Sequence, residues 1–215
     1  MTNQYTMRAK LITEFIGTFF LTLTICTAAA FGTAGSHAPF AIASTLMVMI
    51  YAGGHVSGAH YNPAVTISIY LRGACDKSEV APYIATQVAA GVAAAVVASN
   101  TLMPEGEVAP LVMETWPALS AELLFTFALA YVILNVATSE STEGNGYYGA
   151  AIAFVVLAGA LTVGSISGAS FNPAVTASLV ASGVLDVADS WIHVVPQVIG
   201  AALAAMVYNA QQHEG

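Results

Sequence analysis

Charge is what this sequence has least of. Only 7% of its 215 residues are charged, where a soluble domain carries roughly 25%, and that excludes an ordinary soluble enzyme. Four residues are basic, Arg8, Lys10, Arg72 and Lys77, against twelve acidic ones, for a formal charge of −8. That balance argues against nucleic acid as a partner, because phosphate binding needs clustered Lys and Arg. Cysteine is scarce as well. Cys26 lies in an apolar run and Cys75 in a polar connection beside Arg72 and Lys77, which argues against a disulfide or a thiolate metal site. No Ser-His-Asp set, metal-ligand cluster or phosphate loop is assembled, so an enzyme has little support.

What is abundant is apolar sequence, 57% of the chain. It falls into stretches at about 11–31, 39–53, 81–103, 118–138, 148–165 and 191–209. A bilayer core takes about 20 apolar residues per helix, so six spans with short connections use the whole length as one transmembrane domain, 1–215. Six spans place both termini on one side, together with all four basic residues. The positive-inside rule makes that side the cytoplasm, so a multi-pass protein of the plasma (inner) membrane is expected, in contact with lipid. The opposite loops carry Glu105, Glu107, Glu114, Asp186 and Asp189. An acidic mouth would favour cations, although a solvated loop face is the simpler reading. Arg8, Lys10, the first apolar run and Ala28-Ala29-Ala30 also fit a secretory leader. Against that, the run is long, carries Glu14 and has a counterpart later in the chain.

The counterpart belongs to an internal repeat. Gly54-His55-Val56-Ser57-Gly58-Ala59-His60-Tyr61-Asn62-Pro63-Ala64-Val65-Thr66 returns 110 residues later as Gly164-Ser165-Ile166-Ser167-Gly168-Ala169-Ser170-Phe171-Asn172-Pro173-Ala174-Val175-Thr176. Glu14, Thr18 and Phe19 answer to Glu122, Thr126 and Phe127, and Gln87 to Gln197. The chain therefore reads as two three-span halves, about 8–103 and 118–209. An odd number of spans per half inverts one half relative to the other and brings the repeated segments face to face near the midplane.

Asn is a favoured N-cap and Pro a favoured first helical residue, so each copy predicts an irregular segment entering a short helix at Asn62 or Asn172. Ten residues rise only about 15 Å, half a bilayer core. Two such half-helices would meet by their N-termini and complete one further span. Irregular backbone at that depth is tolerable only where it is buried or lines a water-filled cavity. Gly58, Ala59, His60 and Tyr61, with Gly168, Ala169, Ser170 and Phe171, are thus expected to offer a ladder of backbone carbonyls to permeating molecules. The two asparagines supply N–H donors at the centre. The positive helix ends disfavour cations there and turn the oxygens of a water file inward, which interrupts proton hopping.

These segments resemble the twin Asn-Pro-Ala motifs of the aquaporin, or major intrinsic protein, family, at Asn62-Pro63-Ala64 and Asn172-Pro173-Ala174. The resemblance covers nearly the whole chain, including Glu14 to Phe19, Gln87 and Pro196 to Gly200. It implies an all-α membrane fold of six helices and two re-entrant half-helices, a pore in each subunit, a homotetramer, and passive permeation without a cofactor. Glu14 and Glu122 are intramembrane carboxylates for which a proton relay is the default hypothesis. Their counterparts in the family look structural, accepting hydrogen bonds from the re-entrant backbone, and irregular loops in a membrane need such acceptors. His55 and His60 are expected to pack or bond within the first loop rather than gate. His37 and His193 are expected to be interfacial.

The resemblance fails at the narrowest ring. The family's residue three after the second Asn is normally Arg, and here it is Val175. By the family's spacings the other ring members are Ile42, Ala160 and Ala169, although a gap in the first outer loop would move Ile42 within Pro39 to Ser44. A wide, apolar ring without a side-chain donor lowers the cost for solutes that shed water readily. Water, glycerol-like polyols and undissociated metalloid acids such as arsenous or boric acid are the expected cargo. A strictly water-selective pore is the alternative, and a proton-coupled transporter the reading from another class.

Overall fold

The computed structural model describes residues 5–212 and is helical, with no strand among the described residues. Among the described residues eight α-helices follow in order: α1 Met7–Thr24, α2 Ala38–Ser57, α3 Pro63–Arg72, α4 Lys77–Val97, α5 Thr115–Ala137, α6 Tyr148–Ser167, α7 Pro173–Ala181 and α8 Trp191–Gln212. Wider turns prolong α1 to Ala30 and α4 to Leu102. Six of these helical segments are long and apolar enough to cross a membrane. The two that are not, α3 and α7, are the half-helices.

Large apolar side chains such as Phe154, Leu124 and Met206 face outward. The interior is instead rich in alanine. Ala90, Ala94, Ala130, Ala201 and Ala204 are fully buried or nearly so, because in lipid the hydrophobic effect does little to join helices and close backbone approach has to do it. The broadest contacts are α5 on α8 and α1 on α4, one such pair in each half. Gly91 of α4 shows how tight this is: a Cβ there would stand 2.5 Å from the carbonyl oxygen of Ala174 at the start of α7. Gly91→Val is therefore expected to displace that half-helix and cost about 2–3 kcal/mol, read as a lower unfolding temperature of the purified protein in detergent.

The irregular segments are shorter than the sequence suggests. Both α2 and α6 continue through the Gly- and Ser-rich stretch to Ser57 and Ser167. Each then stops at a glycine in the left-handed region, Gly58 (φ 87) and Gly168 (φ 78), whose N–H bonds back to Gly54 and Gly164. Only a residue without a Cβ takes that cap without strain. The third span also begins earlier than expected, at Lys77, and keeps Pro82 within its helix. On the side of the chain termini, Lys10 pairs with Glu79 and ties α1 to α4. Arg72 donates to the carbonyl oxygen (2.6 Å) and hydroxyl (2.9 Å) of Thr138 and lies over the Tyr208 ring.

Candidate functional site

Between each capping glycine and asparagine, the chain crosses the interior without regular structure. Ala59, Tyr61, Ala169 and Phe171 all have φ near 50, a left-handed conformation that costs a non-glycine residue roughly 1–2 kcal/mol. Two buried carboxylates hold it. Glu14 accepts hydrogen bonds from the Ser57 hydroxyl (2.7 Å), the N–H groups of His60 (2.9 Å) and Tyr61 (2.7 Å), and the Gln87 amide (2.9 Å). Glu122 accepts from Ser167 (2.7 Å), Ser170 (3.0 Å), Phe171 (2.7 Å) and Gln197 (2.7 Å). With the loop N–H groups turned back to these carboxylates, the loops have their donors satisfied on the protein side.

At Asn62 and Asn172 the backbone is extended and the side-chain oxygen caps the half-helix, accepting from Ala64 and Ala174 at 2.9 Å in each case. The amides reach across. Asn62 Nδ2 donates to the Phe171 carbonyl and Asn172 Nδ2 to the Tyr61 carbonyl, both at 2.9 Å. An Asn amide has two N–H donors, so each residue can clasp the opposite loop and still offer one donor elsewhere. This changes the expected carbonyl ladder: the Tyr61 and Phe171 carbonyls serve the clasp, and Phe171 does not line the cavity. Asn62→Asp would set an oxygen against the Phe171 carbonyl where a donor now sits. A loss of about 3 kcal/mol is expected from the broken buried bond, and Asn172→Asp should match it, both read by thermal melts.

A cavity of about 690 Å³ passes this junction. Ala74, Ala137, Thr138 and Tyr148 line it toward the termini, and Ala109, Pro110 and Val184 at the other end. Gly58, Ala59, His60, Tyr61, Asn62, Gly168, Ala169, Ser170 and Asn172 line its middle. Ile42, Ala160, Ala169 and Val175 are on its wall too. Pro63, Ala64, Pro173 and Ala174 are not, being the first turns of the half-helices; Ala64 is packed among Ala130, Ala201 and Ala204.

Leu111 is a wall residue that no motif marks. Its N–H donates to the Val184 carbonyl at 2.7 Å, and its side chain packs with Val175, Leu179 and Leu185. The available signal is the apolar stretch from Val108 to Met113 inside an acidic loop. Among the histidines, His60 bonds through Nδ1 to Thr66 (3.1 Å) and meets the Tyr83 ring edge-on, and His55 meets Tyr5. His37 is exposed. His193 is not interfacial but fully buried, one turn before Gln197 on the inward face of α8. Cys26 is buried, and Cys75, half-buried, has its thiol pushed up to about 11 by burial and the Glu79 and Asp76 carboxylates. At neutral pH it is a poor nucleophile.

The model of the major intrinsic protein family matches residues 1–208. Aquaporin NIP1-3 of Oryza sativa subsp. japonica is 37% identical over 214 residues, covering 93% of this chain and 72% of the rice protein. A probable NIP-type aquaporin of Nicotiana alata is 34% identical over 213 residues, covering 93% and 76%. Among solved structures, the aquaglyceroporin from Plasmodium falciparum superposes with a TM-score of 0.76 at 19% identity, over 95% of this chain and 96% of that one.

Proposed function

The chain belongs to the major intrinsic protein family of membrane channels, and we propose that it passes water and small uncharged solutes, glycerol-like polyols and metalloid acids included, passively through the cavity described above. The observation that carries this reading is the clasped asparagine pair on the wall of a cavity lined from both ends of the fold. Two half-helix N-termini meet there, so the local potential is positive and cations are disfavoured. A passing solute finds one remaining amide donor on each asparagine, with apolar wall on the other sides, which suits neutral molecules with a few hydroxyl groups.

Ile42, Ala160, Ala169 and Val175 form the outer ring in this reading. With Val175 in place of a cation, neither charge nor side-chain donors select there. Glu14 and Glu122 act as loop anchors, since all their oxygens are engaged with loop and helix donors. The protein works as a homotetramer in the plasma (inner) membrane, with both termini cytoplasmic, one pore per subunit and no cofactor.

Stopped-flow light scattering of proteoliposomes tests the reading directly. Vesicles under water, glycerol, urea and boric acid gradients are expected to equilibrate faster than protein-free ones. Water movement alone would make the pore strictly water-selective. Uphill solute accumulation under an imposed pH gradient would establish proton coupling and overturn the channel.

A further inference from the structure

Helices α2 and α6 correspond without a gap at the 110-residue offset, each twenty residues long, and the loops and half-helices after them keep the same register. The outer ring therefore has a counterpart. Ile42 maps to Ile152, Ala160 to Ile50, Ala169 to Ala59 and Val175 to Val65, and all four counterparts line the cavity. Inversion of the halves puts them on the other side of the asparagine pair, toward the chain termini. Along α2, Ile50 lies about 12 Å beyond Ile42.

We propose that this inner ring, Ile50, Ala59, Val65 and Ile152, is the narrowest and solute-selecting point of the pore. The inference rests on the channel reading and moves the site of selection away from the outer ring. The two rings differ at one position, where Ile50 presents a branched four-carbon side chain and Ala160 a methyl group. Wall residues around them differ in the same sense: His60 corresponds to Ser170, Tyr148 to Ala38, and Thr138, in the register that pairs Glu14 with Glu122, to Ala30. Three differences run the other way: Leu46 over Val156 and Val184 over Ala74, both smaller in volume, and Leu111, which packs on Val175 at the side of the outer ring and has no counterpart in the first half.

The inner ring is also stiff. Ile50, Val65 and Ile152 are 3%, 2% and 5% exposed and share one packed cluster with Ile69, Leu129 and Ile133. Branching at Cβ restricts χ1, and contact with the neighbouring members of the cluster limits rotation further. Ala59 is fixed by its left-handed backbone and by the bond from its N–H to the Ser57 hydroxyl at 3.1 Å. Such a ring selects by cross-section. Compact, readily dehydrated neutral solutes pass, and bulkier ones stop on the termini side of the asparagines.

Two exchanges across the repeat test this, with glycerol and water permeability measured in the same proteoliposomes. Ile50→Ala is expected to raise the glycerol-to-water ratio about threefold or more, because it widens the limiting step. Ala160→Ile builds a second, equal barrier in series and should lower glycerol permeability only about twofold. The amount of protein recovered in the washed vesicles reports insertion, and Ile50→Val should shift the ratio in the same direction if Ile50→Ala fails to insert. An unchanged ratio in the inserted Ile50 variant, together with a tenfold loss in Ala160→Ile, would return selection to the outer ring and overturn the proposal. Wild-type vesicles no more permeable than bare lipid would overturn the channel reading instead.

Discussion

Glu122→Ala is expected to yield no monodisperse protein from detergent extracts. The substitution deletes the acceptor shared by the Ser167 hydroxyl, the Ser170 and Phe171 N–H groups and the Gln197 amide. Each donor left unpaired in a dry interior costs about 1–3 kcal/mol, so four together rival the roughly 5–15 kcal/mol by which a folded domain is stable. The strained backbone at Ala169 and Phe171 would lose its tether at the same time. Glu14→Ala should behave alike, since Ser57, His60, Tyr61 and Gln87 form the same set of four. Glu122→Gln keeps one acceptor oxygen but turns an amide toward donors, and an intermediate yield is expected. Size-exclusion profiles of the three variants check this order. A Glu122→Gln protein of wild-type yield and melting temperature, with pH-driven solute uptake abolished, would make the carboxylate a proton relay.

Val175→Arg is the second large expectation. Val175 is 3% exposed on the cavity wall, and Leu111, Met113, Leu179 and Leu185 surround it. A planar, permanently charged group with five donors would narrow the outer ring below the inner one and raise the positive potential in the pore. Glycerol permeability should fall about tenfold and water permeability less, so their ratio drops. The cost of the charge at membrane depth, at least about 2.5 kcal/mol, has to be met by backbone carbonyls. Those of Ala169 and Ser170 belong to residues on the same wall. A ratio that stays constant in an inserted variant would show that Val175 stands clear of the permeation path.

The spans, the repeat, the half-helices and the anchoring carboxylates are legible in the amino-acid sequence, because each leaves a local or periodic mark. Apolar runs of bilayer length read as spans, Asn-Pro reads as a capped helix start, and a glutamate inside an apolar run must have a partner. The ends of α2 and α6 are less legible. Gly54 to Ser57 and Gly164 to Ser167 have loop-like composition, yet they stay helical until a glycine supplies the left-handed cap.

Composition and periodicity are enough to define the class of molecule: an apolar chain in two inverted halves, carrying paired re-entrant segments. How the halves engage is a matter of tertiary packing alone. Asn62 and Phe171 are 109 residues apart and Asn172 and Tyr61 are 111 apart, and no local pattern records that their side chains and carbonyls clasp. The same holds for Leu111, which an acidic loop delivers to Val175, and for His193, which a polar-looking helix start hides in the core. Local propensity acts over a few residues, whereas the clasp, the cavity wall and the burial of a histidine depend on which distant backbones approach closely enough to exclude everything else.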